Sequence, residues 1–179
     1  MNTNELNKFF LCLEELKSIK RKGWEIKTNV NNVESVADHS YVATSIAMIL
    51  SDLADLNTEK VVKMMLIHDL PEIIIGDLMP GENPNKSIEE NIAINKILEN
   101  LPENIRAEYI DIWNEFTNKQ SKESMLVNEI DKLELIIQLS LYKNQMSKEV
   151  FNEFLQSAEK NIDSEFNRKL LKEILQSMR

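Results

Sequence analysis

The chain contains two histidines, and both stand in apolar surroundings. The stretch LIHDLPEIIIGD, residues 66–77, sets His68, Asp69, Glu72 and Asp77 into an otherwise greasy run. His39 falls in line with Val36, Ala43, Ile46, Leu50 and Leu53, at intervals of 3, 4, 3, 4 and 3. Asp131 lies between Ile130 and Leu133 in LVNEIDKLELII. Burying such groups without partners is costly. His39, His68, Asp69 and Asp131 together make a donor set of two nitrogens and two oxygens. That set suits a first-row divalent metal better than Ca²⁺, which takes oxygens. A six-coordinate ion would keep two positions for water or substrate oxygens. Water bound there becomes acidic enough to supply hydroxide near neutral pH. Glu72, just outside the set, has the chemistry of a general acid or base. Taken singly, each residue also has a plainer reading. His39 can be a satisfied core histidine, His68-Asp69 a helix-end cap, and Asp131 a solvated charge beside Lys132. Spacing alone does not bring the four together.

The elements that must position them read as helices. Leu6, Phe9, Phe10, Leu13, Leu16 and Ile19 mark a first amphipathic helix that Gly23 ends. The stretch WEIKTNVNNV mixes β-branched residues with asparagines and reads as a loop or irregular strand. Ser35 and Asp38 fit a capping box for the helix carrying His39. Thr58 is expected to cap the next helix, a central one running to about Leu70. Pro71 then suits the first position of a short helix to Ile75, closed by Gly76. Pro80, Gly81, Asn83 and Pro84 mark the loop nearest the cluster. Helices are expected over Ile88–Leu101, Pro102–Phe116 with Pro102 at the first position, about Lys122–Tyr142, Lys148–Asn161 and Asp163–Met178.

Composition narrows the class. The 179 residues, with only three glycines and four prolines, predict an all-α fold of about eight helices in one domain. A net charge of −9 with no basic face argues against a nucleic-acid binder. An anionic substrate would need a local cation, which a bound metal supplies. Cys12 is the only cysteine, so neither a disulfide framework nor a cysteine-based zinc site is expected, and a cytoplasmic setting fits. The N-terminus MNTNELNKFF does not read as a signal peptide. No apolar run approaches the ~20 residues that span a bilayer, so no membrane partner is expected.

The ordered set His39, His68-Asp69 and Asp131 on helices resembles the HD-domain superfamily of metal-dependent phosphohydrolases. The chain is most similar to its 5′-deoxynucleotidase family, including the HD domain-containing protein 2 group. The matching pieces are Arg21-Lys-Gly-Trp24, Glu34-Ser-Val-Ala-Asp-His39, His68-Asp-Leu-Pro-Glu72, Gly76-Asp77, Trp113-Asn-Glu115 and Ile130-Asp131-Lys-Leu-Glu134. They span roughly residues 5–145 in family order. Residues 146–179 match only as helices packing on the rest. The resemblance implies an HD-domain helical fold and release of phosphate from deoxynucleoside 5′-monophosphates. It implies His39, His68, Asp69 and Asp131 as ligands of one divalent ion; Co, Mn, Zn, Fe, Ni and Mg are not distinguished. Glu72 would position or deprotonate water, or protonate the leaving oxygen. Asp77 would line the pocket and contact water or the sugar. Arg21 would grip the 5′-phosphate. Trp24 would lie near the sugar and penalise a 2′-hydroxyl. A homodimer is implied too, and Phe9, Phe10 and Leu13 could serve it as readily as a core.

Two departures bear on substrate. Met125 stands where relatives tend to have lysine, and the segment after Asp77 carries Glu82, Glu89 and Glu90. The alternatives are an HD phosphohydrolase for an alarmone or nucleoside triphosphate, and a non-catalytic nucleotide-binding module with a structural metal.

Overall fold

The computed structural model describes residues 3–178; Met1, Asn2 and Arg179, the ends of the expected unit 1–179, lie outside it. Helix α1 spans Thr3–Glu14 and tightens into a 3₁₀ turn, Glu15–Lys17. Then come α2 (Lys22–Lys27), α3 (Val36–Leu53), α4 (Thr58–Ile67) and α5 (Glu72–Ile75). They are followed by α6 (Lys86–Leu98), α7 (Glu103–Thr117) and α8 (Lys122–Tyr142). A second 3₁₀ turn, Lys143–Gln145, leads to α9 (Lys148–Glu159) and α10 (Glu165–Ser177). Eight of these helices exceed seven residues, and the described residues form no strand, so the all-α expectation holds.

The centre is α8. It buries Val127, Ile130, Leu133, Ile136 and Leu139 completely, one every three residues. Helices α3 and α4 pack on each other and on α8, α7 packs on α4, and α9 and α10 close over α8. Helix α4 contributes Val61, Met64 and Met65, also without exposure. Each such side chain stabilises the fold by about 1.5–3 kcal/mol relative to exposure.

Helix starts are chemically specified. Ser35 and Asp38 form the expected capping box at α3. Ser121 and Ser124 form another at α8. The cap of α4 is Asn57, whose side chain accepts from Lys60 N, and not Thr58, which is the first helical residue. Pro71 and Pro102 each sit at the cap position, one residue earlier than expected. The stretch after Gly23 is a correction. Trp24, Glu25 and Ile26 are helical within α2, although the local composition reads as loop. Tertiary burial of Trp24 outweighs propensity there. The stripe of α3 also turns: Ala47 is fully buried while Leu53 is 69% exposed.

Candidate active site

The end of α4 makes the first half of the site. The residue before a proline disfavours helical backbone, and Pro71 itself donates no bond. The helix therefore stops at Ile67, earlier than the Leu70 expected from its apolar pattern. A tight turn follows, with Leu70 N donating to Ile67 O and Glu72 N to Asp69 O. His68 turns its Nδ1 onto the Met65 carbonyl at 2.6 Å, satisfying a backbone acceptor at the helix end. Gly76 closes α5 at φ +74°, a conformation that glycine adopts freely.

The second half comes from α3 and α8. His39 is completely buried, and its Nδ1 meets Glu134 Oε2 at 2.5 Å. With both Nδ1 atoms engaged, the two Nε2 atoms face each other at 3.4 Å. His68 Nε2 lies 3.1 Å from Asp69 Oδ2, and His39 Nε2 lies 3.4 Å from Asp131 Oδ1. One ligand atom each of His39, His68 and Asp69 lies within 4.8 Å of the others. Asp131 stands outside that trio, beside His39, and two imidazole lone pairs with a carboxylate this close repel one another unless positive charge sits between them. The His39 imidazole shows the same preference. Burial works against its charged form, yet the bonds from Asp131 and Glu134 push its pKa up to about 9. The donor set therefore fits a divalent cation, with Glu134 fixing the tautomer of His39 in the manner usual for metal-binding histidines. A second acidic group, Glu34 with Glu134, touches the other side of His39. Trp24 Nε1 donates to Glu34 Oε1 at 2.7 Å, and neither glutamate lines the cavity, so this group braces the site from behind. Burial, then the nearby Glu134 charge, pushes the Glu34 carboxyl up to about 7.

The cluster lies at a cavity of about 510 Å³ lined by Arg21, Trp24, Asp69, Glu72, Asp77 and Asp131. Six of the eight expected site residues thus line it, and His39 and His68 stand directly behind. Arg21 is held in place by the main chain: Arg21 N donates to Glu34 O, and Val36 N to Ile19 O. Its guanidinium donates to Asp69 Oδ2 at 3.2 Å and approaches Asp131 Oδ1 at 3.9 Å. Burial opposes its charge, but the surrounding carboxyl groups, Asp69 and Asp131 foremost, together outweigh burial and hold it firmly protonated. Asp77 Oδ2 accepts from Lys22 N at 2.6 Å and so anchors the start of α2, which carries Trp24. Trp24 is only 1% exposed, between the Phe154 ring at 4.2 Å and the edge of Tyr142 at 5.5 Å.

The carboxyl groups of one cavity behave differently. Burial opposes ionisation of Asp69, but His68 and Arg21 hold it well below the usual range. Burial likewise opposes Asp131, which Lys132 and His39 hold low. Glu72 is 4% exposed, and its Oε2 is buried without a hydrogen-bond partner. Burial, then the charges of Asp69 and Asp77, pushes its carboxyl up to about 10.

Several contributors escaped the sequence reading. Lys132 reaches Asp131 at 2.8 Å and lines the cavity, as does Lys86. Phe154, from α9, lines it too. Glu134 follows Asp131 by three residues on one helix, and that spacing was the available signal for its role. The departures look different in place. Met125 is 51% exposed and lies outside the cavity lining. Glu82 bonds Lys22, Glu89 accepts from Asn83, and Glu90 lies 3.4 Å from Lys86. The acidic residues of this segment thus have local partners.

A family model described as HD domain matches residues 13–173. The chain belongs to the HD-domain family. "5′-deoxynucleotidase HDDC2" of Homo sapiens is 35% identical over 142 residues, covering 78% of this chain and 69% of that protein. The Mus musculus protein of the same name is 34% identical over 146 residues, covering 80% and 72%. A solved structure, "Conserved hypothetical protein from Pyrococcus furiosus", superposes with a TM-score of 0.77 at 32% identity, covering 94% of this chain and 98% of that one. No helix among the described residues is long and apolar enough to cross a membrane.

Proposed function

We propose that this HD-domain protein is a metal-dependent phosphomonoesterase that converts deoxynucleoside 5′-monophosphates to deoxynucleosides and phosphate. One observation carries the reading. Two histidines with occupied Nδ1 atoms bring their Nε2 atoms together with Asp69, with Asp131 beside His39 and an unpartnered buried oxygen of Glu72 lining the same cavity. The names of the relatives supply the substrate class.

His39, His68, Asp69 and Asp131 would hold the ion. A divalent ion held there supplies positive charge to the phosphoryl oxygens and lowers the pKa of water. The protein's own groups do the rest. Arg21 and Lys132 add fixed positive charge for the phosphate in a chain whose net charge is −9. Glu72, whose burial favours the protonated form, is placed to donate a proton to the departing 5′-oxygen. Asp77 holds the start of α2, and through it the edge of Trp24, against the sugar. A homodimer belongs to the same reading. Phe9 and Leu13 pack against the core, whereas Tyr41, Ile49 and Leu53 expose an apolar face of α3 to a second copy. A cytoplasmic setting is consistent with the single cysteine.

The test is phosphate release over a panel of deoxynucleotides, ribonucleotides, triphosphates and 3′-pyrophosphates, with metal content measured on the same sample. Release from deoxynucleoside monophosphates, lost in EDTA, is expected. A metal-loaded protein inert to the whole panel would sink the reading. Light scattering at about twice the 20.8 kDa chain mass checks the dimer.

A further inference from the structure

The cavity has a second end that the motif residues do not account for. Leu135 follows Asp131 by one turn on the same face of α8, and both line the cavity. The space therefore runs along α8 away from the ligand cluster, toward α9. There α9 contributes Glu153, Phe154 and Ser157 to the lining.

We infer that α9 forms the nucleobase end of the pocket, with Phe154 and Leu135 as its apolar wall and Lys27, Glu153 and Ser157 as its polar edge. This rests on the nucleotide reading above and extends it to the rest of the ligand. The two aromatic rings at this end are unequal. Trp24 is 1% exposed, covered by Phe154 and Tyr142, so it offers a ligand little more than an edge. Phe154 is only half-buried, so a flat group reaching past the sugar meets Phe154 and Leu135. The neighbouring polar groups supply both hydrogen-bonding senses. Lys27 pairs with the Glu153 carboxylate and lies 5.7 Å from the centre of the Phe154 ring. Ser157 follows Phe154 by three residues on the same helical face. An apolar wall edged by a cation, a carboxylate and a hydroxyl matches a heteroaromatic ring with polar substituents. A phosphosugar alone would leave that wall wet. A volume of about 510 Å³ accommodates a ligand of nucleotide size.

The experiment compares kcat/KM for thymidine 5′-monophosphate and deoxyadenosine 5′-monophosphate with kcat/KM for 2-deoxyribose 5-phosphate, which lacks a base. Phe154→Ala is expected to lower the ratio about ten-fold, within the range for base–aromatic contacts, mainly through KM. Phe154→Tyr should restore it. Phe154→Leu keeps most of the packing volume, so it should hold the melting temperature and still lose most of the ratio. An unchanged ratio in folded Phe154→Leu overturns the proposal. If the wild type releases phosphate from none of these compounds, the reading of function fails separately. Calorimetric titration with thymidine and deoxyadenosine then tests the subsite directly. Binding weakened about ten-fold by Phe154→Leu supports it; absent or unaltered binding overturns it.

Discussion

Asp69, Asp131 and Glu72 are carboxyl groups lining one cavity, and the two aspartates have acidities opposite to that of the glutamate. The aspartates have company. Arg21 lies 3.2 Å from Asp69, Lys132 lies 2.8 Å from Asp131, and the two imidazoles complete the set. Glu72 has an unpartnered oxygen, with the charges of Asp69 and Asp77 nearby. Burial alone would raise all three. Neighbouring charge decides which carboxyl carries a proton, and a site with both kinds can hold a cation and deliver a proton at the same pH.

The contrast can be broken from either side. The largest effect is expected for Asp69→Ala, which removes a proposed metal ligand and leaves Arg21 facing a depleted cluster. Phosphate release and metal binding should both disappear, read by the phosphate assay and elemental analysis. Next comes Glu72→Gln. It should keep the metal and lose about 10²–10⁴-fold in kcat, the usual scale for a general acid. The same variant sharpens the comparison through stability. The folded Glu72 carboxyl is raised to about 10, against about 4.3 when unfolded. Its contribution is therefore present at low pH and lost as pH rises from about 4.3 to about 10, because the unfolded chain releases the proton first. In EDTA, the melting temperature of the wild type should fall more steeply over this window than that of Glu72→Gln, as read by scanning calorimetry. A steeper fall in the variant would contradict the assignment.

Smaller still is Glu134→Ala, which frees the Nδ1 of His39 without removing a proposed ligand. Metal affinity should drop about 10–100-fold, with partial rescue by Glu134→Gln, read by metal competition. Smallest is Ser35→Ala, which deletes the capping box of α3. It should cost about 1 kcal/mol of stability and leave metal stoichiometry unchanged, read by denaturant unfolding.

Much of this was legible in the chain. The periods of three and four put His39 on an inward face, and the capping box fixed where α3 begins. The bounds of α8 are those its apolar spacing predicts, and Gly76 closes α5 as its position suggests. Local chemistry sets these features, so a local reading finds them. Helix α2 was not legible, because its composition favours a loop and distant contacts order it: Asp77 at its start, and Glu34, Tyr142 and Phe154 around Trp24. The early stop of α4 was half-legible, since Pro71 marks the boundary but the turn before it takes further residues.

By itself, then, the sequence determined most of the helices, the candidate donor atoms and the family. Those depend on side-chain chemistry and short-range spacing. The tertiary structure decided that His39 and His68 meet with Asp69, that Asp131 comes beside His39, and that Glu134 stands behind His39. It also decided which carboxyl is left without a partner and that α9 walls the cavity. These depend on distances between segments far apart in the chain, and electrostatic shifts and shared cavities arise only once packing has set those distances.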